Sequence, residues 1–418
     1  MNQHYLANYA KLPVHIGVQV QKGQTVIIMS SVEALELTRL VVKECYLAGA
    51  SQVIVQYNDE VNTHSTLTLA PSESLSKPPT FVKDAFSAYA EEDAAFISIS
   101  SSDPSLMVDV DPERLKVYSM ATRKSQQTFT SYIMNGQVSW NVLAYPNIPW
   151  AKKVFPNLGD EEALEALWAQ IFTITRSDQD KPVEAWHKHI NTIVGNREAL
   201  NRHRFTALHF IGPGTDLEVG LPEGHIWKGA GHTRKDGRIY MANIPTEEVF
   251  TLPDKYRVNG YIRATKPLSY NGKIIDGFKM TVKDGKVIDY QADLGEDTLE
   301  QMLSMDEGAK YFGEVAIVPV DSPISNSGLT FFNTLYDENA ACHLAIGAAY
   351  PHTIQDGDGM DDEEKDQKGV NTSITHVDFM VGSKDVAIFG IKENGTKIPV
   401  IQNGNWSPEL KVFKHSKS

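Results

Sequence analysis

The stretch TVIIMSSVEALELTRLVVKECYLAGASQVIVQY, residues 25–57, decides the fold class. Thr25 to Met29 is a short apolar run rich in β-branched side chains, the composition of a buried strand. Ser30-Ser31 then offers side-chain oxygens suited to a helix N-cap, Val32 to Leu47 carries helical spacing, and Gly49 stops it. Ser51 to Tyr57 reads as the next strand. A strand, a helix of this length and a second strand form a crossover unit, which places the two strands parallel. Working outward, Tyr5, Leu6, Tyr9 and Ala10 recur at three-to-four spacing and predict an opening amphipathic helix. Phe81 to Glu91 reads as a helix and Ala95 to Ser100 as a strand. The first half is therefore expected to be α/β, with a mostly parallel sheet covered on both faces.

The period changes further along. Asp160 to about Arg204 is mainly helical, whereas Phe205 to Phe210 reads as a strand and turn signals then become dense. Asn271-Gly272 and Asp284-Gly285 sit between alternating stretches, and such pairs supply the positive φ angles of tight hairpins. The expected organisation is an α/β N-terminal domain over 1–200 and a β-rich α+β C-terminal domain over 201–418.

Composition narrows the function. The chain has 418 residues, with 41% hydrophobic and 22% charged side chains, the profile of a globular protein of two or three domains. Lys plus Arg number 39 against 53 Asp plus Glu, a formal net charge of −14. That field repels a phosphate backbone, and no basic patch interrupts it, so no nucleic-acid partner is expected. Cys45 and Cys342 are too few and too far apart for a disulfide framework and read as reduced thiols. No apolar run approaches the roughly 18 residues needed to cross a bilayer, and no membrane partner is expected. The N-terminus has no basic segment followed by an apolar one and reads as a mature cytoplasmic start.

Several familiar motifs fail. Gly390 to Gly395 lacks the Gly-Lys-Ser/Thr ending of a phosphate loop, and Gly212-Pro-Gly214 completes no dinucleotide fingerprint. The acidic run Asp356–Glu364 carries Met360 and Asp361 where a calcium loop needs Asp or Asn and then Gly, so it reads as a solvated acidic loop. His187 and His189, two apart on a predicted helix, point about 200° apart and read as surface histidines.

The informative groups all follow residue 240. His376-Val-Asp378 lies in a predicted strand, so imidazole and carboxylate share a face. Taken alone, an exposed polar strand explains the pair more readily. The run after Asn339, Ala340 to Tyr350, is small and apolar enough for a buried helix, which would put His343 and Tyr350 on one side two turns apart. A satisfied core histidine is the plainer account. Glu247-Glu248 precedes Val249-Phe250, and Glu314 opens the apolar stretch Val315–Pro319, at a sheet rim or a solvated strand end. Together, two or three Glu, two His and one Asp form the inventory of a two-metal hydrolase.

At these segments the chain resembles a known family. Asn243-Ile-Pro-Thr-Glu-Glu-Val-Phe-Thr251, Gly313-Glu-Val-Ala316, Tyr336-Asp-Glu-Asn-Ala340, His343 to Tyr350 and Asn371-Thr-Ser-Ile-Thr-His-Val-Asp-Phe-Met380 are similar to stretches of the thermophilic-type metallo-aminopeptidases. The likeness runs over essentially the whole chain and is weakest in residues 60–200. The resemblance implies metal ligands at Glu248, Glu314, His343, His376 and Asp378, with Glu247 as the alternative to its neighbour, and an active-site tyrosine at Tyr350. It also implies two divalent ions (zinc, cobalt or manganese), peptide substrates trimmed from the N-terminus, and a homodimer. Glu338 is the candidate carboxylate for moving a proton from water to the leaving amine. The rival readings are another two-metal hydrolase, such as a dipeptidase or amidase, and a non-catalytic peptide- or metal-binding protein.

Overall fold

The computed structural model describes residues 1–270 and 273–412. The chain separates into two compact units, one of residues 1–189 and 231–245, the other of residues 190–230 and 246–418. Among the described residues no helix is long and apolar enough to cross a membrane, and both cysteines are buried and free.

The first unit holds a four-stranded sheet of Thr25–Ser31, Gln52–Asn58, Ala95–Ser100 and Trp140–Ala144. Thr25–Ser31 lies between Gln52–Asn58 and Ala95–Ser100, and every pairing is parallel. The opening helix runs Gln3–Leu12 and buries Leu6, Tyr9, Ala10 and Leu12. Helix Leu35–Leu47 buries Leu37, Val41 and Cys45, and Gly49 follows it at φ 102°, a left-handed exit for which glycine is suited. Ile27 and Phe96 on the sheet pack with Phe86, Ala90 and Phe129.

One local expectation is corrected here. Ser30-Ser31 does not cap the helix. Ser31 still belongs to the strand, and a 3-10 turn over Val32–Ala34 comes first. Ser30 Oγ is hydrogen-bonded to Thr38 Oγ1 at 2.7 Å, and Ser31 Oγ donates to the Glu33 carboxylate, so both hydroxyls are otherwise engaged. Residues 231–245 also return to this unit. Asn243 bridges Val142 in parallel, and Met241 N donates to Gly17 O. Asp93 there accepts from Arg234 at 2.5 Å and Arg238 at 2.7 Å.

The second unit contains two large antiparallel sheets beside a two-stranded ladder of Leu268–Tyr270 and Lys273–Ile275. Eight strands lie in the spatial order Lys286–Gln291, Lys279–Lys283, Val258–Arg263, Thr215–Gly220, Ala207–Gly212, Ala387–Ile391, Lys397–Gln402 and Asn405–Trp406. The Lys279–Lys283 and Lys286–Gln291 hairpin turns on Asp284 and Gly285, with φ 50° and 81°, the backbone its dipeptide predicts. The companion pair Asn271-Gly272 lies outside the described residues. The other sheet has five strands, in the order His376–Met380, His343–Gly347, Phe312–Ile317, Val249–Thr251 and Lys228–Gly229.

The five-stranded sheet has two unlike faces. Val249, Val315, Ile317, Leu344, Ile346 and Phe379 join one apolar cluster with Leu208, Phe210, Leu217, Val219, Val258 and Met280 of the larger sheet. Because successive side chains alternate, the residues between them (Glu248, Phe250, Glu314, Ala316, His343, Ala345, His376 and Asp378) occupy the opposite face.

Candidate metal centre

One irregularity makes that face. In an unbroken strand Phe312 and Glu314 would point the same way. Phe312 pairs with Ile346, whereas Glu314 pairs with its neighbour Ala345, so Gly313 is an inserted residue. The bulge turns Phe312 into the core and Glu314 to the other side. Only glycine fits there: a Cβ on Gly313 would lie 2.2 Å from the Ala348 carbonyl oxygen and 2.4 Å from that of Gly347. The expected sheet-rim or solvated position of Glu314 is thus corrected. It sits inside a central strand and is 5% exposed.

A second correction concerns His343. The segment Ala340–Tyr350 is no helix: His343–Gly347 is a strand buried on both faces, which the chain leaves at Gly347 with φ 103°. Alanine-rich composition favours helix locally, but pairing with strands on both sides decides otherwise. His343 faces the carboxylates because of strand alternation, and Tyr350 arrives through the following loop, its ring 4.8 Å from that of His376.

The structure brings five of the sequence-singled residues together. His343 Nε2 lies 3.3 Å from Glu248 Oε2, 3.4 Å from Glu314 Oε1 and 4.0 Å from Asp378 Oδ1. His376 Nε2 lies 3.5 Å from Asp378 Oδ1 and 3.9 Å from Glu314 Oε2. Two donor groups result, Glu248–Glu314–His343 and Glu314–His376–Asp378, each with its atoms within 4.8 Å of one another. Glu314 belongs to both, one oxygen toward each imidazole. Of the adjacent pair, Glu248 presents the carboxylate that approaches His343, while Glu247 is buried and its backbone N–H donates to Asn339 Oδ1 at 2.7 Å. That bond ties the segment to the 3-10 turn Glu338–Ala340, which carries Glu338.

The ring nitrogens are oriented from behind. His343 Nδ1 faces the Ala341 carbonyl at 3.1 Å and His376 Nδ1 that of Ala348 at 2.7 Å. A carbonyl only accepts, so each Nδ1 carries the proton and each Nε2 is turned to the carboxylates. The approach to His376 is fixed by Asn371, whose Nδ2 donates to Gly308 O at 2.8 Å and Gly347 O at 2.7 Å.

Charge is concentrated here. Burial, and then the Asp378 and Glu248 charges, push Glu314 up to about 7 despite the hydrogen bond with His343. Burial with the charges of Glu248 and Asp378 raises Glu338 well above the carboxylate range. Burial disfavours a charge on His376, yet Asp378 and Glu314 raise it to about 9. Burial likewise opposes a charge on His343, but Glu248 and Glu314 more than offset it. Four carboxylates against two imidazoles would carry excess negative charge if all were ionised, and the upward shifts show how costly an uncompensated ion is in this desolvated place. Asp378 Oδ1 is buried without a hydrogen-bond partner. The donor set and the orphaned oxygen fit divalent cations held by oxygen and imidazole nitrogen.

Aromatic side chains border the cluster. Phe250 packs edge-on to Tyr350 and His352, with centroids 6.3 and 6.2 Å apart, and Tyr350 lies 5.5 Å from His352. Sequence reasoning passed over Phe250 and His352. For Phe250 a signal existed, since it stands two positions after Glu248 in a strand. The carboxylates of the calcium-like run are exposed, but part of it is helical: Asp362–Gln367 is capped reciprocally by Asp361 and Glu364. His187 is exposed, and His189 Nδ1 lies 3.2 Å from Arg176.

Residues 2–406 match the thermophilic metalloprotease (M29) family, and the chain belongs to it. It is 45% identical over 402 residues to aminopeptidase AmpS of Bacillus subtilis, an alignment covering 96% of this chain and 98% of that protein. It is 44% identical to aminopeptidase 2 of Geobacillus stearothermophilus, covering 97% and 98%. The solved structure of wild-type AmpT from Thermus thermophilus matches with a TM-score of 0.90 at 38% identity, over 96% of this chain and 98% of that one.

Proposed function

We propose that the protein is a metal-dependent aminopeptidase whose centre is the cluster on the five-stranded sheet of the second unit. The observation that carries the reading is Glu314, a carboxylate divided between His343 and His376 in a family of metalloproteases. Glu248 and His343 would hold one ion, His376 and Asp378 the other, and Glu314 would bridge. Zinc, cobalt and manganese all suit this donor set. Two bound divalent cations supply carbonyl polarisation and a water of lowered pKa.

The remaining steps belong to the chain. Glu338, half-buried, is pushed toward its protonated form by desolvation and the charges of Glu248 and Asp378; with cations offsetting those charges it would take a proton from water and return it to the leaving amine. Burial and the surrounding carboxylates hold the Tyr350 hydroxyl far above its ordinary pKa, so it remains a donor and hydrogen-bonds the oxyanion that develops at the scissile carbonyl. The homodimer belongs to the same proposal, and sedimentation velocity checks it.

The test is turnover of aminoacyl-arylamides beside the same substrates blocked at the amine. The account predicts hydrolysis of the free-amine series only, lost on chelation, restored by divalent metal and abolished in Glu314→Gln. Turnover of the blocked series would reassign the protein to another two-metal amidase, and chelator-resistant turnover would remove the metal from the chemistry.

A further inference from the structure

The row of residues across the catalytic face does not end at the metal cluster. Strand register pairs His343 with Ala316, Ala316 with Phe250, and Phe250 with Lys228. Directly paired residues project from the same face, so Lys228 is on the face of His343, three strand spacings away, about 14 Å at ~4.8 Å each. Between them lie the methyl of Ala316 and the ring of Phe250, with Tyr350 and His352 edge-on to Phe250. The turn Pro351–Thr353 is held against the Lys228 segment, since Ile226 N donates to Thr353 O at 2.6 Å.

Lys228 is half-buried, and among the described residues no carboxylate lies within ion-pair distance of its ammonium. Its neighbours do not compensate for that. Arg197 Nη1 donates to Gly229 O at 3.0 Å and brings a second cation close, and only Asp358 attracts Lys228 from further off. The charge of Lys228 also contributes, after burial, to pushing His352 down to about 4, which places the two side chains in electrostatic reach. An unpaired, partly desolvated cation at one end of an apolar strip, with an amine-end catalytic centre at the other, is built to receive an anion.

We infer that Lys228 binds a substrate carboxylate, the C-terminal one of short peptides laid across Phe250 from the metal cluster, and so sets a preference for peptides of about three residues. A tripeptide extended at ~3.3 Å per residue spans about 10 Å, which suits the gap once the lysine side chain leans inward. This inference rests on the aminopeptidase reading. The same charge would accept an Asp or Glu side chain of a longer peptide, and the experiment separates the two sources.

Steady-state kinetics on Leu-Gly-Gly, its C-terminal amide and the amidated Leu-Gly-Asp decide the matter. Wild type should favour the free tripeptide over its amide about tenfold in kcat/KM, carried by KM. Lys228→Gln should bring that ratio to near one, with metal content and Tm retained, and Lys228→Arg should keep it. A ratio unaltered by Lys228→Gln, or a wild type indifferent to amidation, would overturn the inference. A preference for amidated Leu-Gly-Asp over the free tripeptide would overturn the C-terminal assignment in favour of an acidic side chain. Wild-type hydrolysis of the amides, which lack a terminal carboxylate, reports the peptidase reading separately.

Discussion

The two faces of the five-stranded sheet share the same backbone and carry opposite physics. Toward the larger sheet, Val315, Ile317, Leu344, Ile346 and Phe379 are sealed in hydrocarbon. On the other side, Glu248, Glu314, His343, His376 and Asp378 converge, at a cost in desolvation and repulsion that only cations or protons offset. The first face contributes stability and the second spends it. The comparison teaches that a charge-dense surface can be largely withdrawn from water when the strands beneath it are pinned by a core.

Substitutions on the two faces should therefore separate activity from stability. Glu314→Gln should lower kcat by about 10³-fold or more, while the metal-free protein melts no lower than wild type because a buried charge is gone; a Tm that falls with activity would break the separation. Phe379→Ala on the core face should cost roughly 3–5 kcal/mol of stability, measured by denaturant unfolding, while the protein remaining folded binds metal normally. Between these extremes, Tyr350→Phe should reduce kcat about 10²–10³-fold at unchanged metal content, and equal loss of both would remove the tyrosine from the chemistry. Gly313→Ala probes the link between faces. By pressing on the Gly347 and Ala348 carbonyls it should misplace Glu314 and lower kcat/KM about 10²-fold, and a fully active variant would show that the bulge does not aim the carboxylate.

Much of this was legible in the sequence, and its limits are physical. Ala95–Ser100 and Phe81–Glu91 were bounded correctly because strand alternation and helical spacing are local properties. Asp284-Gly285 announced its turn because its backbone angles follow from the dipeptide itself. The segment around His343 was misread because Ala340–Ala349 has helical composition, and only pairing on both sides makes it a strand. His343 and Tyr350 belong to one site for a reason different from the helical one. The parity change at Gly313 had a faint signal, an isolated glycine in a strand pattern, but its effect on Glu314 depends on the partner register. The return of residues 231–245 to the first unit, and the alignment of Lys228 with His343, arise from contacts between distant parts of the chain that spacing does not encode.

The central claim is that Glu314 stands between two cations. Anomalous scattering from crystals of the protein loaded with zinc or manganese tests it most directly. The account predicts two peaks flanking the Glu314 carboxylate, one beside His343 and Glu248, the other beside His376 and Asp378. A single peak, or density away from these five side chains, would contradict it.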